Sequence, residues 1–229
     1  MAELRGSVIG ELSGKLGNLA ARIINGRTIL AQRPTSFKTN NAPYMVEIRQ
    51  KFKVSGIFAK NVITLSALYQ VWNKVKKARL SAYNEICKLN YFESAADKPT
   101  VDNVLTPEGG FPLPVTVAAV AAVNVTATLA ALDTVMIASE EERDFVSNGL
   151  ICYYNPVNPE DAPYAITKIE SAPDSLDTVN PIELSIPLNV VQQNLAAKYQ
   201  NSILYLALAT LDGDGKVIQY SSTYSQDNQ

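Results

Sequence analysis

Histidine is absent from all 229 residues. Its absence removes Ser-His-Asp and Cys-His nucleophilic catalysis, His-ligated zinc and most general-base schemes near neutral pH. No acidic pair stands out by spacing either, so the chain reads as a non-enzyme with no cofactor and no metal. Cysteine is scarce: Cys87 and Cys152 stand alone, too few for a disulfide framework, and both are expected as free thiols in a reducing compartment. Long apolar runs are missing as well. The longest, "VTVAAVAAVNVTATLAAL" (115–132), is broken by Thr116, Asn124, Thr126 and Thr128. No membrane-spanning helix is expected, and its valine and threonine content suits strands. The opening "MAELRGSVIGELSG" has no charged head followed by an apolar core, so no secretory peptide is expected.

What the sequence does have is a hydrophobic fraction of 47% and a length sufficient for one large domain or two small ones. The net charge of −2 conceals a division. Residues 1–92 hold 15 Lys/Arg against four Asp/Glu, a balance of +11, while residues 93–229 hold five against 18, a balance of −13. A division of this size bears on partners rather than on fold. The basic half suits nucleic acid, or the basic half of one copy meets the acidic half of the next, favouring head-to-tail assembly. The plainest reading is two solvated surfaces.

The pattern along the chain gives an α+β protein. Asn25-Gly26 is a two-residue hairpin turn signal that pairs Leu19–Ile24 with Arg27–Gln32. One face of this ribbon carries Arg22, Ile24 and Ile29, the other Ile23, Thr28 and Leu30, so both faces are partly apolar and need cover. Pro34 ends the second strand. From Tyr44 the period changes to about 3.6, with Tyr44, Ile48, Phe52, Ser55 and Ala59 on one stripe. Helices are expected over 42–62, 65–76, capped by Thr64 or Ser66, and 80–90, with Ser81 at its start. The Pro- and Gly-rich stretch 93–114 reads as a linker. Beyond it, short strands at regular spacing fit an immunoglobulin-like sandwich, with "ASEEERDFVSN" and "NVVQQNLAAKYQ" as short helices or crossovers. The expected organisation is therefore an N-terminal segment with a hairpin arm (1–40), a basic helical domain (41–92), the linker (93–114) and an acidic Ig-like β-sandwich (115–229).

Several motifs weaken on inspection. Gly10-x-x-x-Gly14-Lys15-Leu16 has three residues between its glycines, not four, and Leu where a phosphate loop needs Ser or Thr. Asp212-Gly213-Asp214-Gly215 starts like a calcium loop but runs into Val-Ile-Gln-Tyr, so a hairpin turn is the better reading. Glu140 to Asp144 reads as solvated helix surface. Lys74, Lys76, Lys77 and Arg79, near Trp72 and Tyr83, make the densest basic run, and basic residues among aromatics suit nucleic acid. Trp72 at helical spacing from Leu68 and Val75 reads first as core. Tyrosines at alternating positions of the C-terminal strands place some on an outer face, where they would favour protein contact.

"SGKLGNLAARIINGRTILAQRP", followed by "RQKFKVSGIF", "LSAYNEICKLNYF", "ICYYNPVN", "ELSIPLN" and "YLALATLDGDGKVIQYSSTYSQ", resembles an uncharacterised family of Bacteroidetes genomes and their phages. The resemblance covers most of the chain, in the order hairpin, helices, Ig-like domain. Phage members look like virion structural proteins, including crAss-like phage components of head, portal-collar or tail. The resemblance thus implies an assembly role in a virion put together in the host cytoplasm, with other copies of the chain and other virion proteins as partners, a homo-oligomer, and no catalytic residue. Lys15, Arg22, Arg27 and Arg33, with Lys74, Lys76, Lys77 and Arg79, are the expected contacts to a neighbouring subunit. Alternatively they hold duplex DNA, as in an architectural DNA-binding protein of the HU type with the order of arm and helices reversed.

Overall fold

The computed structural model describes residues 2–3, 13–24, 26–33, 36 and 39–228. It is an α+β fold whose chain divides into two compact units, 1–45 and 46–229. In the first, β1 (Ala2–Glu3), β2 (Gly14–Leu16), β3 (Leu19–Ile24) and β4 (Arg27–Gln32) form one antiparallel sheet in the order β1-β4-β3-β2. The expected register holds, with Ile24 opposite Arg27 and Arg22 opposite Ile29. Gly26 has φ +73°, the left-handed backbone such a turn requires. Asn25, Pro34 and Gly10 lie outside the described residues.

The hairpin is not alone. Gly14–Leu16 is a strand, joined to β3 through Gly17-Asn18 with Leu16 opposite Leu19. Gly17 at φ +56° supplies the left-handed first position of that second tight turn.

In the second unit, α1 (Pro43–Val62, which begins at the end of the first), α2 (Ser66–Val75) and α3 (Ala82–Glu93) fall where their periodicity puts them. Ser81 caps α3 by accepting from the Asn84 N–H, whereas the cap of α2 is Leu65, without a side-chain bond. Then follow β5 (Val115–Val120), β6 (Asn124–Leu129), β7 (Asp144–Pro156), β8 (Tyr164–Glu170), β9 (Asp174–Ser175), β10 (Ile182–Pro187), α4 (Val190–Ala196), β11 (Tyr199–Leu211), β12 (Val217–Tyr220) and β13 (Tyr224–Asn228). One sheet runs β10-β6-β5 and the other β12-β11-β7-β8, with β13 continuing beside β11 and β9 beside the start of β7. This is the E-B-A and G-F-C-C′ arrangement of an immunoglobulin-type sandwich. Of the two acidic or polar segments expected as helices or crossovers, 190–196 is helical. The segment "ASEEERDFVSN" is not, because Asp144–Asn148 already belongs to β7, where Phe145 and Val146 are buried on opposite faces.

β7 and β11 are buried on both faces, and the parity of their side chains shows why. Phe145, Ile151 and Tyr153 of β7, with Leu204, Leu206 and Leu208 of β11, face Val125, Ala127 and Leu129 across the sandwich. Leu150 and Cys152, with Ile203, Tyr205 and Ala207, face the other way onto Phe58, Leu65, Leu68 and Ile86 of the helical layer. The helices therefore cover the outer face of the larger sheet, and helices and sandwich share one compact unit in place of two domains on a linker.

The 93–114 segment is a strap within that unit. Leu105, Asn103 and Thr106 are buried in it, and Thr223 Oγ1 accepts from the backbone N–H groups of Leu105 and Thr106 at 2.8 and 3.2 Å. Its prolines read as a linker in sequence, but they serve equally to hold an extended strap.

Candidate functional site

The strands of the N-terminal sheet bring Lys15, Arg22, Arg27 and Arg33 together without a single carboxylate between residues 13 and 33. Arg22, Ile24, Arg27 and Ile29 share one face, as their cross-strand pairs require. Lys15, Arg22 and Arg27 are exposed, and Ile24 keeps 41% of its surface. Arg33 folds back on the Gly17-Asn18 turn, its backbone N–H donating to Asn18 O at 2.7 Å and its guanidinium reaching Gly17 O at 3.5 Å. Among the described residues of 1–45, Ala21 is the sole buried one.

The second basic group is split. The Lys74 ammonium donates to Val217 O, beside Gln70, whose Oε1 accepts from the Val217 N–H at 3.1 Å. Together they close the outer edge of β12 against pairing. Arg79 sits exposed in the α2–α3 turn with φ +75°. Lys76 and Lys77 instead border a cleft of about 480 Å³ between α2 and α3, with Lys88 beside them and Val75, Leu89 and Phe92 supplying apolar wall. Carboxylates stand opposite: Glu85, Glu93 and Glu108 line the same cleft, and Glu85 Oε1 accepts from the Lys77 N–H at 3.4 Å. A cleft of mixed sign is a poor seat for a phosphate.

Trp72 is core, with its Nε1 donating to Leu105 O at 2.7 Å, and offers no face to a base. None of the seven C-terminal tyrosines (Tyr153, Tyr154, Tyr164, Tyr199, Tyr205, Tyr220, Tyr224) is fully exposed: Tyr154, Tyr164 and Tyr205 pack on the helical side of the larger sheet, Tyr153, Tyr199 and Tyr224 against the core inside the sandwich, and Tyr220 beside Val217. Tyr205 donates to Thr100 O at 2.5 Å, and Tyr154 to Asp227 at 2.7 Å. Burial pushes the Tyr153 and Tyr164 hydroxyls up to about 12.

The Asp212 loop is a turn, as its chemistry suggested: Oδ1 accepts from Asp214 N–H and Lys216 N–H at 2.9 and 2.8 Å, and Gly215 is left-handed at φ +76°. Cys87 and Cys152 are free and buried. Among the described residues, no group of three or more Cys, Asp or Glu side chains is placed to hold a metal.

Sequence reasoning missed two features. The uncovered start of α1 is one: Tyr44, Ile48 and Phe52 lie on the stripe that Ser55, Ala59 and Val62 bury further along, yet all three are exposed. The other is Ile137, exposed over 90% of its surface in the loop before β7. Periodicity signals an apolar stripe but not how far its cover extends, and a lone loop isoleucine gives no signal. Comparison with protein-family models and with curated proteins finds no match.

Proposed function

We propose that this chain is a non-enzymatic structural subunit that works by assembling with copies of itself, as part of a phage virion: a portal-collar or tail ring, or a capsid-associated layer. The observation that carries the reading is the N-terminal sheet, a four-stranded sheet whose described residues bury Ala21 and nothing more. A sheet with apolar groups on both faces and a single buried residue among those described gains its stability from cover. The +11 and −13 halves favour a second copy as that cover, since each copy then offers both signs. The virion setting rests on the sequence resemblance. Native mass spectrometry of the full chain tests the assembly, with defined oligomers expected that fall apart as salt rises. A strictly monomeric chain at high concentration, missing from purified particles, overturns it.

A second reading is favoured by the run of residues 13–33, which carries four cations and no carboxylate, although Glu3 of β1 pairs opposite Ile29 at the edge of the same sheet. It makes the chain an architectural binder of duplex DNA. Binding would then weaken steeply with salt, losing roughly tenfold or more between 50 and 200 mM, and an absence of affinity at low salt removes it.

A further inference from the structure

We infer that the basic sheet of a second copy docks on the acidic end of the sandwich, with Ile24 and Arg22 meeting the loops that carry Ile137 and Val179. The inference rests on the assembly reading above and names its surface.

Three loops meet where β6 and β11 finish and β7, β10 and β12 begin. They are tied to one another: the Asp133 N–H donates to Thr178 O at 2.9 Å, the Leu176 N–H to Arg143 O at 2.8 Å, and the Arg143 N–H to Leu211 O at 2.9 Å. Gln219 Nε2 holds Ile137 O at 2.9 Å. On this end Asp133, Glu140, Glu141, Asp174, Asp177 and Asp214 are exposed, against Arg143 and Lys216. Amid them Ile137 and Val179 expose 90% and 68% of their surfaces. Aliphatics this exposed within a carboxylate field form a poor surface for water and a good one for an apolar group bracketed by cations.

A third observation falls in the same loops. Glu142 is only 8% exposed, and its Oε1 accepts from the Ser139 N–H at 3.0 Å and from Gln219 Nε2 at 2.7 Å. Its Oε2 is sealed from solvent and accepts nothing among the described residues. Through Gln219, whose Nε2 also holds Ile137 O, this buried carboxylate adds negative charge directly beneath the Ile137 loop, which favours a cation at the surface above it.

The face of the N-terminal sheet matches this surface in kind: Ile24 stands next to the Gly26 turn, with Arg22 two residues before it and Arg27 directly across. Donor and acceptor surfaces lie in different parts of the same chain, so the contact is heterologous. Every copy gives a sheet and receives one, which closes into a ring or runs on as a filament.

Disulfide trapping tests the contact. Chains carrying Ile24→Cys are mixed with chains carrying Ile137→Cys and mildly oxidised; Cys87 and Cys152 are buried and stay out of the reaction. The expected product is a covalent dimer that needs both variants. A double variant on one chain should give a ladder of covalent oligomers. Closure of that double variant into a cross-linked monomer would mean the sheet covers its own chain, and overturns the inference. So does assembly of the parent chain with no cross-link in the mixture.

Charge reversal reads the same contact without cysteines. Glu140→Lys with Glu141→Lys should weaken self-association about tenfold, as should Arg22→Glu, and combining all three should restore most of it. Unchanged self-association in the single sets places the contact elsewhere while assembly itself stands. A chain monomeric at every concentration removes both the contact and the assembly reading. Loss of DNA binding in Arg22→Glu with self-association intact assigns the sheet to nucleic acid.

Discussion

The indole Nε1 of Trp72 donates to the backbone carbonyl of Leu105 at 2.7 Å, and both residues are buried. A helix that reads as part of a separate basic domain is thereby fastened to a strap that reads as a linker. The same strap is held from the other side by Thr223, at the far end of the chain. Trp72→Phe removes the donor and leaves the Leu105 carbonyl buried without a partner. We expect a loss of about 1–3 kcal/mol, measured by urea unfolding followed by far-ultraviolet circular dichroism, since the chain's one tryptophan is then gone.

Asn103 should be more sensitive still. Its Nδ2 donates to Asn90 Oδ1 and Ser94 Oγ, both at 2.9 Å, and its Oδ1 accepts from the Thr100 N–H at 2.7 Å. This closed network sits at the α3–strap junction, buried and satisfied. Asn103→Ala is expected to cost about 3 kcal/mol, whereas Asp102→Ala, exposed next door, should stay within about 0.5 kcal/mol. Equal effects would mean the network contributes little.

Gly149 lies at the centre of β7, opposite Leu206. A Cβ there would stand 2.5 Å from the Tyr205 carbonyl oxygen and 2.9 Å from side-chain atoms of Ile169 and Leu206. The carbonyl belongs to the neighbouring strand and cannot swing aside without breaking the ladder. Gly149→Ala should therefore destabilise by about 1–3 kcal/mol, although alanine suits an extended strand better than glycine does. Thermal unfolding of the pair of proteins decides it.

Alkaline pH should destabilise the folded protein. Burial pushes the Cys152 thiol from 9.0 to about 12, with Lys98 partly opposing the shift, and pushes Tyr153 and Tyr164 from 10.0 to about 12. The folded state thus keeps protons that the unfolded state gives up. Their contribution is intact below about pH 9 and is lost as pH climbs towards 12. The urea midpoint should be level from pH 7 to about 8.5 and fall above it. Cys152→Ala should delay the onset of that fall towards pH 10, leaving the tyrosine part in place.

Much of the fold is legible in the sequence for a local reason. Asn25-Gly26 with its flanking strands sets the hairpin register, the 3.6 period from Tyr44 sets α1, and Ser81 sets the start of α3. Each signal lives within a few residues of what it specifies. The pairing of β2 was not read from the sequence: its turn is Gly17-Asn18, and a glycine before asparagine is a quieter turn signal than the reverse order. The candidate contacts were legible only as charge. That Lys74 turns in to Val217 depends on β12, some 140 residues further along, and that Lys76 and Lys77 border a cleft depends on how α3 and Glu108 of the strap pack beside α2.

The strap and the tyrosines show the other side. Residues 93–114 have the composition of a linker, and nothing local distinguishes an extended segment in water from one pinned under Trp72 and Thr223. Likewise the apolar run of β11, "SILYLALATL", says that both its faces are covered, without saying by what. The sequence by itself determined the hairpin and its register, the three N-terminal helices and the separation of charge, because these depend on neighbours in the chain. Only the tertiary structure decided that the helices roof the larger sheet, that the linker is a strap, and that Ile137 and Val179 stand out among the carboxylates of one end. Those outcomes depend on which apolar faces find each other across the whole chain, and burial is a property of the assembled fold rather than of any segment in it.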